Sequence, residues 1–364
     1  MNNHPSYPDQ PDNHNTEEPK MRFGNRQVHQ WTVYASLGII TAVLFIFVSS
    51  LGITYQVTQQ PPSVTRHNVK EPAVLALEKN RETTSLIKIL KEFGLWELPV
   101  SGEIPSVFIK SYPFDLNEVE DVAIKKRVFL HSLIPQALFV RQEALHRRDK
   151  FESILSKIDC SSEVLDFGSG LEYENQCSWT DFLVEEDVNF IQQLCKVYRT
   201  TSPEVLLERV DAIPLSIILA QGALESSWGS SRFSREGNSI FGMWTWNTAG
   251  IVPSQREDGK THKVRVYENV LESVRSYHLT LNRLDSYEEF RQLRLHTDNP
   301  LLLAEGLTLY SERGQDYVED IKNVILSNDL QRYDSFTLTD PYLPEFTGPV
   351  STVINLAGQR NASL

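Results

Sequence analysis

The sequence predicts an α+β fold, a mostly helical domain with a small β-hairpin lobe, preceded by one transmembrane helix and a helical segment. Three observations carry this expectation. Beyond Glu71 most apolar residues recur at helical spacing. Residues 238–267 break that pattern, with Gly242, Gly250 and Pro253 punctuating short strands. No ionised side chain occurs between Arg26 and Arg66.

Taken in order, residues 1–30 are rich in Asn, Pro, Asp and Glu and read as a disordered tail. Residues 31–55 follow as a mostly apolar run, and roughly 20 such residues span a bilayer core. Trp31, Tyr34 and Tyr55 suit its two interfaces. Lys20, Arg22 and Arg26 precede the run, whereas the first cation after it is Arg66. The positive-inside bias then leaves the N-terminus in the cytoplasm and exports the rest. The run is long for a cleaved signal peptide, starts late and lacks a small-x-small site, so an uncleaved anchor in the inner membrane is expected.

Residues 56–72, with Gln59-Gln60-Pro61-Pro62, read as an extended linker. A helical accessory segment spans 73–200. Leu86, Ile87, Ile89 and Leu90 mark one amphipathic stretch that ends near Gly94. Val128, Phe129, Leu133, Ile134, Leu138 and Phe139 mark another, broken or capped around Pro135. Residues 181–199 and 203–228 continue as helices. In the β-element, Asp258-Gly259 reads as a hairpin turn, with alternation over Lys263–Tyr267 after it. Helices return at about 269–283, 286–293, 299–307 and 315–328. The tail 333–364, with Pro341, Pro344 and Pro349, reads as loosely packed.

Length and charge bound the chemistry. A chain of 364 residues buries a sizeable core. Its formal net charge of −13 argues against nucleic acid as the main partner. Cys160, Cys177 and Cys195 include no Cys-x-x-Cys pair and the histidines no His-Glu-x-x-His, so no metal site or cofactor is expected. A Cys160–Cys177 bridge is open to an exported chain; buried free thiols are the simpler reading. Asp166-Phe167-Gly168 and His146-Arg147-Arg148-Asp149 look like kinase motifs. Their spacing is too short, however, and no glycine-rich loop precedes them.

The most informative stretch is Ala220–Gly229, which ends an apolar helix on Glu225 directly before Ser226-Ser227-Trp228-Gly229. Pro214 suits the first helical turn and Gly229 the stop. Steps of four and seven back from Glu225 reach Gln221 and Ile218, so the acid shares a stripe with core-facing positions. Half burial beside Trp228 would raise its pKa, as a general acid at neutral pH requires. A solvated acid at a helix end is the bland alternative. Gly237–Trp244 then reads as a turn into a strand, and Tyr310–Val318 follows with tyrosines seven apart.

In this order the three segments resemble the glucosaminidase domain of glycoside hydrolase family 73, over about residues 105–332. The family's Ala-x-Glu-Ser-x-Trp-Gly box matches Ala223–Gly229, its Asn-x-x-Phe-Gly box matches Asn238–Gly242, and its tyrosine pair matches Tyr310 and Tyr317. The resemblance implies a lysozyme-like fold over 201–332 and cleavage of peptidoglycan after N-acetylglucosamine, with Glu225 as general acid. A lytic transglycosylase and a non-catalytic glycan-binding scaffold are the rivals. The family's second acid would fall in the hairpin lobe, near Glu257 and Asp258, although Gln255 sits closest to its position. Tyr310 matches the family's active-site tyrosine, while Tyr317 reads as mainly structural. Gln221 precedes the first box and is expected at the substrate. Phe241, Trp244 and Trp246 would form an aromatic floor for sugar, with core packing an equal rival for Phe241. Arg232 and Arg235 read as a solvated helix face. The expected setting is a single-pass membrane protein with its catalytic domain in the periplasm.

Overall fold

The computed structural model describes residues 74–75, 82–159, 165–168, 178–246, 249–254, 256 and 259–339. The expected span 31–55, its flanking tail and linker, Cys160, Cys177, Gln255, Glu257 and Asp258 lie outside them. Among the described residues no helix is long and apolar enough to cross a membrane.

Strand β1 (Val74–Leu75) precedes helix α1 (Thr83–Glu92), whose Leu86 and Leu90 are buried. Two short strands follow, β2 (Glu103–Ile104) and β3 (Phe108–Ile109), the latter paired in parallel with β1. Helix α2 (Val122–Leu155) is the spine of the molecule. Asp121 caps it, its carboxylate accepting from the amides of Ala123 (2.8 Å) and Ile124 (3.1 Å). The expected break at Pro135 does not occur, because the helix runs through it. Every residue from Val128 to Val140 is buried, so neighbours on all sides hold the helix together through the proline. Nearby carbonyls gain side-chain donors: Ser132 Oγ reaches Val128 O at 2.6 Å and Gln136 Nε2 reaches Ser132 O at 3.0 Å.

Helices α3 (Glu185–Tyr198) and α4 (Pro203–Arg209) pack with the far end of α2 around Phe151, Phe190, Leu194 and Leu206, a second and smaller core. The stretch 203–228 is thus two helices. Its second, α5 (Leu215–Ser226), begins after Pro214. Pro214 offers no side-chain cap, and the cap comes from the other end of the chain. Asp334 accepts from the Ser216 amide at 2.8 Å and from its hydroxyl at 2.7 Å.

The short helix α6 (Arg232–Gly237) leads into strands β4 (Trp244–Thr245), β5 (Gly250–Ile251) and β6 (Lys263–Arg265). They form one antiparallel sheet in the order β4-β6-β5, with Val264 opposite both Trp244 and Ile251. Helix α7 (Val270–Arg283) is followed by α8 (Glu288–Arg294) and α9 (Pro300–Leu303). A 3-10 segment, Ala304–Tyr310, then crosses α8. The crossing is close enough to require Gly306, where a Cβ would stand 2.4 Å from the Phe290 backbone. Helix α10 (Gln315–Ser327) and strand β7 (Thr337–Leu338) complete the described chain.

One hydrophobic core joins Leu86, Phe129, Leu133 and Ile134 to Ile217 and Ile218 of α5, Val274 and Leu281 of α7, and Ile321 of α10. Residues 82–140 are therefore part of the same body as 201–332, not an accessory segment beside it. The tail is not loose at its start, since β7 pairs in parallel with β2 and buries Leu338.

Candidate active site

Helix α5 is apolar on all sides because it is buried on all sides, and its one acid is placed in its last turn. Behind Glu225 the backbone stops abruptly. Ser227, Trp228 and Gly229 have φ of 51°, 57° and 76°, three successive left-handed residues. Such conformations cost about 1–3 kcal/mol each in non-glycine residues and persist only where the surroundings enforce them. Here the Trp228 amide donates to Ala223 O at 2.9 Å and the Gly229 amide to Ser226 Oγ at 2.8 Å. A Cβ on Gly229 would meet Phe129, Tyr112 and Leu116 at 3.0 to 3.2 Å. Trp228 packs on Phe129, with Lys126 over its ring, and does not line the cleft.

The groups around Glu225 are tyrosines rather than Trp228. Tyr317 donates its hydroxyl to Glu225 Oε1 at 2.7 Å. Gln221 Nε2 donates to the Tyr317 oxygen at 3.1 Å, and Tyr277 donates to Gln221 Oε1 at 2.5 Å. The result is a chain, Tyr277–Gln221–Tyr317–Glu225, in which each group orients the next. Burial raises the Glu225 pKa above the usual carboxylate range, and the Tyr317 hydrogen bond opposes that rise. Burial and the nearby Glu225 charge push the phenols of Tyr277, Tyr310 and Tyr317 well up, so they remain donors at physiological pH. Glu225 Oε2 faces Gly242, whose φ is 61° and where a Cβ would stand 3.7 Å away.

Glu225 opens onto a cleft of about 1550 Å³ that Phe241, Trp244, Trp246, Tyr287 and Tyr310 also line. Trp244 and Trp246 are each 58% exposed, with ring centroids 6.3 Å apart, and Trp244 stacks on His262 at 4.4 Å. Phe241 is buried, its ring stacked on Tyr277 at 4.0 Å, so it supports the cleft floor from behind. Gln221 is fully buried with both ends of its amide engaged, which places it behind the acid and away from any ligand. Tyr310 donates to the Phe241 carbonyl at 3.1 Å and lays its ring on Tyr317 at 5.6 Å. The hydroxyl on the acid is therefore that of Tyr317, the tyrosine expected to be structural. Glu257 lies outside the described residues. Arg232 bonds Val252 O and Arg235 bonds Phe114 and Ser230 carbonyls, so both tie loops together away from the cleft.

Two groups escaped sequence reasoning. Tyr277 continues the apolar stripe Val270, Val274, Leu281 on α7, so nothing in its spacing marks its hydroxyl. Arg275, also on the cleft wall, holds the buried carboxylate of Glu143 through Nε (3.0 Å) and Nη2 (2.6 Å), and Glu272 through Nη1 (2.8 Å). This cross-link between α2 and α7 joins residues 132 positions apart, which no local pattern reveals. Among the described residues no cluster of metal-ligating side chains is present.

Residues 204–330 match the family model described as Glucosaminidase, mannosyl-glycoprotein endo-beta-N-acetylglucosaminidase. All three sequence boxes fall inside that range. Protein bax of Escherichia coli is 37% identical over 118 residues, 31% of this chain and 42% of its own length. The peptidoglycan hydrolase FlgJ of Salmonella typhimurium is 32% identical over 102 residues, 24% of this chain and 32% of its own. The chain thus spans less than half the length of these relatives. The catalytic domain of the autolysin Auto from Listeria monocytogenes aligns over 40% of this chain and 84% of its own, at 23% identity and a TM-score of 0.29.

Proposed function

We propose that the chain is a peptidoglycan glycosidase, an endo-β-N-acetylglucosaminidase in which Glu225 protonates the leaving glycosidic oxygen. The observation that carries this reading is the Glu225 carboxyl itself. It is half-buried at the wall of a sugar-sized cleft, fixed by Tyr317, and its pKa is raised by burial. Cleavage of a glycosidic bond needs a proton on the departing oxygen and stabilisation of an oxocarbenium-like centre. Glu225 meets the first need, and the exposed pair Trp244 and Trp246 offers flat apolar faces to the rings on either side of the bond. The glucosaminidase match over 204–330 and the peptidoglycan-hydrolase relative support the substrate class.

The test is Glu225→Gln in the full chain, acting on purified peptidoglycan. Removing a general acid should lower kcat by about 10²–10⁴-fold while leaving glycan binding intact. Mass spectrometry of the wild-type products should show reducing N-acetylglucosamine ends. Anhydro ends would instead identify a transglycosylase, and a wild-type protein that binds but releases nothing would identify a scaffold.

We also infer that residues 31–55 anchor the chain in the inner membrane with residues 82–339 in the periplasm, where this substrate lies. The uncharged apolar run and its preceding cations support that reading. Alkaline extraction of cell membranes should leave the chain in the pellet; release into the supernatant would rule the anchor out.

A further inference from the structure

The cleft wall is not electrostatically uniform. Helix α7 faces it with Glu272, Arg275, Ser276, Leu279, Thr280 and Arg283, a stripe at helical spacing. At 1.5 Å per residue that stripe runs about 16 Å along the helix axis. Arg275 is consumed by Glu143 and Glu272, and Arg313 elsewhere on the wall pairs with Asp320 at 2.7 Å. The Arg283 end differs. Lys196 from α3, Arg265 from β6 and Arg283 all line the cleft, and none forms an ion pair with a described residue. Burial, and then the like charges of Arg199 and Arg265, lower the pKa of Arg283. Its Nε is sealed from solvent without a hydrogen-bond partner.

Helix ends explain part of this pattern, since cations are favoured in the last turn of α3 and of α7. They do not account for Arg265, a strand residue whose guanidinium lies 5.2 Å from the Tyr267 ring centroid and has no carboxylate partner among the described residues. In a chain of net charge −13, cations on a cleft wall that find no counterion among the described residues point to an anionic ligand. A guanidinium fork suits a planar carboxylate.

We propose that Lys196, Arg265 and Arg283 form a carboxylate-binding subsite for the acidic peptide stem carried by the glycan strand. The proposal rests on the glycosidase reading for its substrate. It makes the cleft select strands that still bear their stems.

The test compares native peptidoglycan strands with strands whose stem carboxylates are capped as amides by carbodiimide and excess ammonium. The full wild-type chain should cleave native strands with a kcat/KM about tenfold higher. In the double variant Arg265→Gln/Arg283→Gln that preference should vanish. Arg283→Lys alone, which keeps the charge and loses the fork, should retain an intermediate preference and guards against a variant that fails to fold. Equal cleavage of both strands by the wild type would overturn the proposal, as would a preference that survives in the double variant. So would a preference that disappears only when phosphate-bearing wall polymers are stripped from the strands. If the wild type cleaves neither strand, the glycosidase reading fails, and co-sedimentation still decides the subsite. Arginine-dependent binding of native over amidated strands supports it, and equal partition overturns it.

Discussion

At the scale of residues, the acid is defined by what surrounds it more than by its own position. In the proposed role of general acid Glu225 acts in its protonated form, so activity should fall as pH rises through its raised pKa. Tyr317 donates to the carboxylate and so favours the anion. Tyr317→Phe removes that donor, which raises the Glu225 pKa further. The alkaline limb of kcat/KM should therefore move to higher pH, alongside a loss of rate from poorer orientation. A limb that stays in place or moves down would remove Tyr317 from the acid's environment. The sequence made Glu225 legible because a lone carboxylate before a Ser-Trp-Gly break is unusual in an apolar helix. It left the partner tyrosine ambiguous, because two phenols seven positions apart look alike until the turn at Gly314 aims one of them. Gln221 was legible as special, but its burial behind the acid was not, since its partners come from α7 and α10.

At the scale of elements, helix α5 is held at both ends by groups outside it. Its C-terminal stop depends on Gly229, which the sequence marks plainly. Its N-terminal cap is Asp334, 118 positions away, and proximity in sequence gives no hint of it. Asp334→Ala leaves the Ser216 amide and hydroxyl without their acceptor and should destabilise the protein by about 0.5–2 kcal/mol. Thermal melting checks this, and an unchanged midpoint would mean that the cap is replaceable. Pro135 shows the reverse case. Local propensity argues for a break, yet α2 passes through because burial on every side outweighs a lost hydrogen bond, worth about 1 kcal/mol net. The small sheet was readable from its glycines and alternation, although its central strand proved to be the last of the three in sequence.

At the scale of the whole molecule, helices α1 and α2 share a core with the glucosaminidase-like part. Phe129, Leu133 and Ile134 of α2 pack with α5, and Arg275 pins α2 to α7. A fragment of residues 201–339 would expose that apolar face and leave Arg275 with half its counter-charge. It should fail to melt cooperatively, whereas 82–339 should show cooperative unfolding; circular dichroism of the two fragments checks this. Composition alone could not show the union, because each half carries enough apolar residues to suggest a core of its own. The Asp334 clamp has a consequence for synthesis. A ribosome releases α5 more than a hundred residues before it releases the carboxylate that fastens it. The nascent chain therefore carries its acid on an unlatched helix until Asp334 emerges, and a product terminated before that residue lacks the latch altogether.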